Sequence, residues 1–395
     1  MTPDTASGVR TIEASAPGKL FLLGEYAVLH GAPAVLTAVD RRARVTVTVP
    51  DAAHGTAAPG APWRISAPAI GIAECRLEAD GALPAGLDAA TRERLRVFDA
   101  VRRTVARRVS SVPSGLLIAI DTAAFWHREH KLGLGSSAAV AAALTAALAA
   151  AHGLRPTADE LLAWATDAHR EAQGGAGSGG DVAVSCSGGL ITFTRDRVGS
   201  DDAEPILQQG PVLQRGPILQ HWPGDLDLRV VTTGTGSSSS ELVGRVSAYG
   251  RRDPGGHAAD LARLAALARQ AVSALASASA FLALADAYFE ALSDLDRRAG
   301  AGIVTEEHHR LRALVAANGG VFKTSGAGGG DVGLVFARTG ADASRVASAL
   351  DEAGVETIPL GFGGPGVQLA DSRSLDVRGA DMHDSGDLVD TEGAP

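Results

Sequence analysis

Lys131-Leu-Gly133-Leu-Gly135-Ser136-Ser137-Ala138, followed by a run of Ala, Val and Leu to Ala151, is the stretch around which the chain is organised. The glycines permit a tight turn, the two serines are typical helix N-caps, and the apolar run is too long for a strand. The pattern predicts a loop that enters the N-terminus of a buried helix. Unpaired N–H groups and the positive end of the helix dipole make such a terminus a binding site for an anion such as phosphate.

The composition of the 395 residues is that of an ordinary globular protein, with 45% hydrophobic and 21% charged residues, and the length predicts two domains. A net charge of -9 argues against nucleic acid or an acidic membrane as the main partner. Cys75 and Cys186 lack the spacing of a disulfide framework or a zinc site. Residues 1–10 contain no apolar signal segment, and the apolar run 138–151 is too short to span a membrane. We therefore expect a cytoplasmic protein, monomeric or homodimeric, that acts on a small molecule.

Two further glycine-rich loops each end in a carboxylate. Residues 174–181 end at Asp181, at the head of an apolar segment, and residues 323–331 end at Asp331, directly before an apolar strand. A single glycine loop usually does no more than turn the chain. Three such loops beside predicted helices and strands indicate that the loops converge on one phosphate-rich ligand.

Two common nucleotide motifs fit the sequence poorly. Gly133 to Ala138 has the spacing of the G-x-G-x-x-A dinucleotide fingerprint, but polar residues precede it where that fingerprint requires a strand. A Walker A loop requires Lys directly after its last glycine, and the sequence contains no such motif. The phosphate ligand is therefore predicted to be held by another arrangement.

A site that handles phosphate needs cations, oxygen ligands for Mg²⁺ and a group that positions the nucleophile. The chain has three lysines, all beside glycine motifs: Lys19, Lys131 and Lys323. Ser136 and Glu171 are candidate Mg²⁺ ligands, and Asp181 is the candidate for positioning. Each also has a simpler interpretation, since the serines of the loop fit N-caps and Asp181 fits a turn residue.

Three segments resemble, in order, the motifs of the GHMP small-molecule kinases: Ala16-Pro-Gly-Lys19-Leu-Phe-Leu-Leu-Gly24-Glu25-Tyr26, Gly133-Leu-Gly-Ser-Ser-Ala-Ala139 and Ser325-Gly-Ala-Gly-Gly-Gly-Asp331. The resemblance implies an α+β fold of two domains, ribosomal-S5-like at the N-terminus and ferredoxin-like at the C-terminus, with ATP and Mg²⁺ in the cleft between them.

The domain boundaries follow from this resemblance together with composition. We predict an N-terminal ATP-binding domain (1–198) and a C-terminal GHMP kinase domain (225–370). Between them, a connector (199–224) carries proline at a period of six in the repeat Pro-Ile/Val-Leu-Gln. The last residues (371–395) are acidic and polar, and we predict that this tail is disordered.

Within the family, several details resemble the bacterial type of phosphomevalonate kinase. Tyr26 stands where mevalonate kinases usually have His, Asp331 ends the third loop, and His169 with Gln173 precedes the Asp181 loop. His30-Gly-Ala-Pro instead resembles mevalonate kinases. The resemblance implies ATP- and Mg²⁺-dependent phosphoryl transfer to (R)-5-phosphomevalonate. Mevalonate kinase, another GHMP kinase acting on a sugar, heptose or homoserine, and a non-catalytic nucleotide-binding regulator remain the alternatives.

Roles in the site are carried over by position. Catalysis is assigned to Lys19 and Asp181; ATP binding to Lys131, Gly133, Leu134, Gly135, Ser136, Ser137 and Ala138; substrate binding to Glu25, Tyr26, Ser178, Ser238, Ser239, Gly328, Gly329 and Asp331; and Mg²⁺ binding to Ser136 and Glu171. The segment His127-Arg-Glu-His130 is interpreted as a surface or substrate loop, because two histidines without further spaced ligands do not make a metal site.

Overall fold

The structure is a computed structural model that describes residues 9–50, 58, 60–175, 177–195, 223–234, 236 and 238–372. Most of the predicted connector (199–224), and the predicted tail beyond residue 372, lie outside these residues. No helix in the described part of the chain has the length and hydrophobicity that crossing a membrane requires.

The described residues form strands β1 (Val9–Leu23), β2 (Pro33–Pro50), β3 (Arg64–Ala67), β4 (Ile72–Arg76), β5 (Leu117–Asp121), β6 (Trp126–His127), β7 (His130–Lys131), β8 (Leu190–Thr194), β9 (Leu226–Thr232), β10 (Val321–Thr324), β11 (Val332–Arg338), β12 (Thr357–Ile358) and β13 (Gln368–Asp371). The helices are α1 (Ala89–Arg94), α2 (Arg96–Ala106), α3 (Ser136–Ala151), α4 (Ala158–Ala172), α5 (Gly180–Ser187), α6 (Ser239–Arg252), α7 (Pro254–Ala268), α8 (Ala271–Ala274), α9 (Ala278–Ala299), α10 (Glu306–Ala317) and α11 (Ala341–Glu352). Three short 3-10 helices cover Ala27–His30, Pro68–Ile70 and Ala123–Phe125.

The N-terminal sheet is built around the long antiparallel pair β1 and β2. Its strand order is β13-β1-β2-β5-β3-β4, and β8 also pairs with β2. Alternating β-branched residues of β2 fit a strand with one buried face. Pro17 and Gly18 do not interrupt β1, which continues through a register shift between Pro17 and Lys19 in its pairing with β2. The extra residues lie on β2, where residues 39–41 stand opposite Gly18, so the bend that such a bulge introduces is in β2 beside Lys19.

Helix α3 is the centre of the N-terminal domain. It packs against β1, β2, α2, α4 and α5, and nearly all of its residues are buried. A helix that is apolar on every side is stable only when other elements surround it. The helical segment from Ala89 to Ala106 is divided at Leu95 into α1 and α2, and α2 packs against α3 and α4.

The C-terminal domain contains an antiparallel sheet of order β10-β11-β9-β12. Helices α6 to α10 connect β9 to β10, and α11 connects β11 to β12. In chain order this is a split β-α-β arrangement, the ferredoxin-like topology that the sequence predicts. Together with the N-terminal sheet it confirms the expected α+β class.

The C-terminal end of the chain returns to the N-terminal sheet. Strand β13 pairs with β1, and Asp371 is buried and accepts hydrogen bonds from Arg10. Asp371 was expected to begin the disordered tail, but it is the last residue of a strand. Residues 361–366 also contact β2 and the end of α5.

Candidate active site

The phosphate loop is formed by residues 133–138, where the chain enters α3. Gly135 is the N-cap at φ 77°, and no side chain caps the helix. The serines are therefore not N-caps as predicted: Ser136 and Ser137 are the first two helical residues. The first N–H groups of a helix lack intrahelical partners, so those of this loop are available to an anion.

Two glycines of the loop lie where a side chain would not fit. A Cβ on Gly135 would lie 2.9 Å from Cγ of Lys19, and a Cβ on Gly133 would overlap the carboxylate of Asp331. Both glycines also have positive φ, at 63° for Gly133 and 77° for Gly135. Because Gly133 and Gly135 have no side chain, Asp331 and Lys19 can lie directly against the backbone of the phosphate loop.

Lys19 packs against the phosphate loop and donates hydrogen bonds to it. Its backbone N–H donates to the carbonyl of Leu134 at 2.8 Å, and its Nζ donates to the carbonyl of Gly133 at 3.3 Å. Burial lowers the pKa of Lys19, whereas the charges of Asp181, Asp331 and Glu25 raise it. A nearly buried ammonium group surrounded by carboxylates is a fixed cation within the site, which suits stabilisation of developing negative charge.

Asp181 lies in the first turn of α5, at the end of its glycine loop. One carboxylate oxygen, Oδ1, accepts from the N–H of Val182 at 2.9 Å, and the side chain is 23% exposed. The other oxygen, Oδ2, lies 4.0 Å from Nδ1 of His169. Nε2 of the same imidazole lies 3.0 Å from the hydroxyl of Ser137. The structure therefore brings Asp181 to the phosphate loop, as predicted, with a buried histidine beside it.

Asp331 places the third glycine loop against the phosphate loop. Its carboxylate lies over Gly133 on one side and against Gly236 on the other. Burial raises the pKa of Asp331, and Lys19 and Lys131 lower it. Asp331 thus lies between Gly133 of the phosphate loop and Gly236, where phosphates are expected, and the charges of Lys19 and Lys131 both act on it.

Lys323, which we predicted to neutralise phosphate, is instead committed to an ion pair. Its Nζ lies 2.5 Å from Oε1 of Glu25, and both side chains are buried. Nζ also donates to the carbonyl of Thr324, and the second oxygen of Glu25 has no hydrogen-bond partner among the described residues. Lys323 and Glu25 therefore hold the two domains together, and neither side chain is exposed to the cleft.

Tyr26 is also a contact between domains. It adopts φ 59°, and its hydroxyl donates to the carbonyl of Ala327 in the third loop at 2.6 Å. Burial raises the pKa of Tyr26. Ser325 adds two bonds to the backbone of Phe21, which extends this junction along β1.

Glu171 does not take the position expected of a Mg²⁺ ligand. Its carboxylate accepts from Arg103 at 3.0 Å and from Arg107 at 3.5 Å, on the outer face of α4. Two guanidinium groups already neutralise it, so the prediction for Glu171 is wrong. The side chain points away from the phosphate loop because it lies two residues after the buried His169 on the same helix.

The remaining predicted substrate residues surround the site without converging on one point. The hydroxyl of Ser178 accepts from Gly180 N–H at 3.2 Å and so shapes the Asp181 loop. Ser238 and Ser239 begin α6 and are exposed. Gly328 and Gly329 pack on the carbonyl of Ile303, which accepts from the N–H of Gly329 at 2.9 Å.

A hairpin that the sequence did not reveal spans the entrance to the phosphate loop. Strands β6 and β7 pair, and the turn between them brings His127 and Arg128 within 2.8 and 2.9 Å of Glu356 in the other domain. These contacts lower the pKa of Glu356, chiefly through the hydrogen bond with His127. The spacing of the histidines gave no signal of this, since the partner lies 229 residues away.

An apolar groove of about 560 Å³ lies at the opposite end of α5 from Asp181. Its lining includes Leu154, Leu162, Ile191 and Leu369. A phosphate needs several converging cations and N–H groups, and this lining is chiefly apolar. The phosphate loop, and not this groove, is therefore the candidate site.

The residues of the phosphate loop fit ATP and Mg²⁺. The glycine cradle and the uncapped start of α3 accept phosphate oxygens, and Lys19 supplies a fixed cation. Within the described residues, no group of three or more His, Cys, Asp or Glu side chains is arranged to hold a metal ion. Mg²⁺ is usually held by one or two protein oxygens together with substrate phosphates. Asp181 and Ser136 are the residues that would hold it here.

Comparison with known proteins supports the same family. The GHMP kinases N-terminal domain matches residues 96–189. A phosphomevalonate kinase of Streptomyces sp. is 33% identical over 381 residues, which cover 90% of this chain and 98% of the relative.

Two solved structures share the fold over most of the chain. A protein of Listeria innocua has a TM-score of 0.75 and 24% identity, and covers 91% of this chain and 99% of its own. A Streptococcus pneumoniae phosphomevalonate kinase, solved with phosphomevalonate and AMPPNP, has a TM-score of 0.69 and 19% identity, and covers 89% and 99%. The length and identity of the Streptomyces match, together with the shared fold, establish that the chain belongs to the GHMP kinase family of phosphotransferases.

Proposed function

We propose that this enzyme transfers the γ-phosphoryl group of ATP to (R)-5-phosphomevalonate, giving 5-diphosphomevalonate and ADP, with Mg²⁺ required. The observation that carries the proposal is the meeting of Lys19, Asp181 and Asp331 around the phosphate loop. A relative named phosphomevalonate kinase that matches 90% of this chain supports the choice of acceptor.

In this proposal the chain positions two anionic reactants and neutralises their charge. The uncapped N-terminus of α3 binds phosphate oxygens of the donor, and Lys19 stabilises the charge that develops as the phosphoryl group transfers. Mg²⁺ supplies further charge neutralisation when it is bound. Asp181 orients Lys19 and the metal from the head of α5.

The acceptor determines whether Asp181 must also take up a proton. An alcohol such as mevalonate loses a proton when it attacks, so a base assists it. A phosphate monoester has its second pKa near ~6 and is mostly dianionic at neutral pH, so it needs little help from a base. With phosphomevalonate, we therefore propose that Asp181 acts mainly by orientation and that Lys131 binds the additional phosphate.

The acceptor is tested by measuring ADP release with phosphomevalonate, mevalonate, homoserine and galactose as separate substrates. We expect kcat/KM to be highest with phosphomevalonate and turnover to require Mg²⁺. A higher kcat/KM with mevalonate or a sugar would refute the choice of acceptor. Binding of ATP without turnover of any acceptor would favour the non-catalytic regulator instead.

The role of Asp181 is tested by Asp181→Asn, which keeps the size of the side chain and removes its charge. We expect this variant to lose most activity while it still binds ATP, because the phosphate loop is intact. Asp351→Asn makes the same chemical change at an exposed position on α11 and should leave turnover unchanged. Near-normal turnover by Asp181→Asn would contradict the assigned role.

Cellular location and assembly remain predictions of the sequence. We propose a cytoplasmic enzyme that is monomeric or homodimeric. Fractionation and sedimentation of the full chain would test both statements.

A further inference from the structure

The imidazole of His169 joins the phosphate loop to Asp181. His169 lies in the last turn of α4 and is almost fully buried, at 2% exposure. Its Nε2 faces the hydroxyl of Ser137 at 3.0 Å, and its Nδ1 faces Oδ2 of Asp181 at 4.0 Å. One buried ring therefore touches the helix that begins at the phosphate loop and approaches the carboxylate on the neighbouring helix.

A third contact indicates which ring nitrogen carries the proton. The side-chain amide nitrogen of Gln173 lies 3.4 Å from Nε2, and the amide oxygen is turned the other way, against Gly177. An amide NH₂ group only donates hydrogen bonds, so this orientation of Gln173 favours Nε2 as the acceptor. In the neutral ring the proton then lies on Nδ1, the nitrogen that faces Asp181.

We propose that His169 is the positioning residue of Asp181. In this arrangement Nδ1–H holds Oδ2 of the carboxylate, while the N–H of Val182 holds Oδ1. The 4.0 Å separation is too long for a hydrogen bond, and a small rotation of the partly exposed Asp181 side chain closes it when the site is loaded.

The same ring also fixes Ser137. Since Nε2 accepts, the Ser137 hydroxyl donates to it, which anchors the first turn of α3 and the loop before it. His169 thereby couples the residues that bind the donor phosphates to the carboxylate that orients the transfer. This inference rests on the proposed function for the role of Asp181, but the ring contacts themselves do not depend on the acceptor.

Two conservative substitutions separate the two contacts. His169→Asn places an amide N–H near the position of Nδ1 and loses the link to Ser137, so we expect kcat to be retained and KM for ATP to rise. His169→Gln reaches toward Ser137 and loses the link to Asp181, so kcat should fall ~10- to 100-fold, the effect of one hydrogen bond to a charged group. His169→Ala should show both changes. Equal kcat in the Asn and Ala variants would overturn the assignment.

A double variant tests whether His169 acts through Asp181. In the Asp181→Asn background, His169→Gln should lower the single-turnover rate less than twofold. A further tenfold loss would mean that His169 contributes independently, and would overturn the proposal. The rates are measured with whichever acceptor the wild-type enzyme turns over fastest, so a wrong choice of acceptor leaves this test intact.

The tautomer is measured without any substrate. Protein labelled with ¹⁵N at its 11 histidines gives ring-nitrogen signals, and His169 is assigned by its loss in His169→Gln. We expect the proton on Nδ1 and an unprotonated Nε2. A proton on Nε2 alone would overturn the proposal whatever the acceptor, and failure of every acceptor to react would refute only the proposed function.

Discussion

Removal of the buried charge of Lys323 should destabilise the protein strongly. In Lys323→Met the side chain keeps its length and its place beside Tyr288, but Glu25 loses the ammonium group 2.5 Å from its carboxylate. Removing one partner of a buried pair typically costs about 3–5 kcal/mol, because an uncompensated charge stays buried. The second oxygen of Glu25 has no hydrogen-bond partner among the described residues, and the Lys19 ammonium group, whose charge also acts on Glu25, compensates only in part.

Urea unfolding at 25 °C, followed by tryptophan fluorescence, measures the free energy of unfolding. We expect the double variant Glu25→Gln/Lys323→Met to lose about 2 kcal/mol less than the sum of its single variants, since the two residues interact directly. Arg310→Met is the control, because its pair with Glu307 is half-exposed on α10 and contributes about 0.5 kcal/mol or less. Additive losses in the double variant, or a loss for Lys323→Met no larger than for the control, would refute this account of the domain junction.

Three further outcomes follow from the structure. Gly133→Ala should abolish tight ATP binding, measured by calorimetry, because the added Cβ overlaps Asp331. Gly153→Ala is the control: Gly153 also has a positive φ, but no atom lies within 4 Å of an added Cβ. This variant should lose only ~1–2 kcal/mol of stability and keep its affinity for ATP. Burial lowers the pKa of His308 to about 4, so the unfolded chain binds more protons than the folded chain between pH 6.5 and 4. The free energy of unfolding, measured by urea titration, should therefore fall by about 3 kcal/mol as the pH falls through that window. In His308→Gln this decrease should be smaller. Lys131→Ala should chiefly raise KM for the phosphorylated acceptor, and an unchanged KM would contradict its role.

Local sequence patterns predicted much of the fold. The apolar run after the phosphate loop specified α3, because a helix without a polar face has to be buried at the centre of a domain. Local patterns of the same kind are present in β2, whose alternating β-branched residues fit a strand, and at the start of α4, where Thr157 and Glu160 form a capping box. The pairing of β13 with β1 could not be predicted, since register between strands about 350 residues apart leaves no local signal.

The candidate site was predicted less completely than the fold. Residue type and loop context were enough to select Lys19, Asp181 and Gly133, which the structure brings together. The same reasoning failed for Lys323 and Glu171, because a lysine beside a glycine loop and a glutamate on a helix have no local feature that reveals their partners. Whether a charged side chain is exposed in the cleft or forms an ion pair depends on which element packs opposite it.

The first and third motifs serve as the junction between domains as well as part of the site. Bonds from Phe21, Glu25 and Tyr26 reach residues 323–327, about 300 positions away, and bury their polar groups in doing so. The side chains of Glu25, Tyr26 and Ser325 are therefore committed to structure, and substitutions there should lower stability and activity together. Lys131 and Asp331 face the phosphate loop without such bonds among the described residues. Lys131 and Asp331 are therefore the residues that we expect to discriminate between acceptors. Their substitution should change KM for the acceptor at little cost in stability.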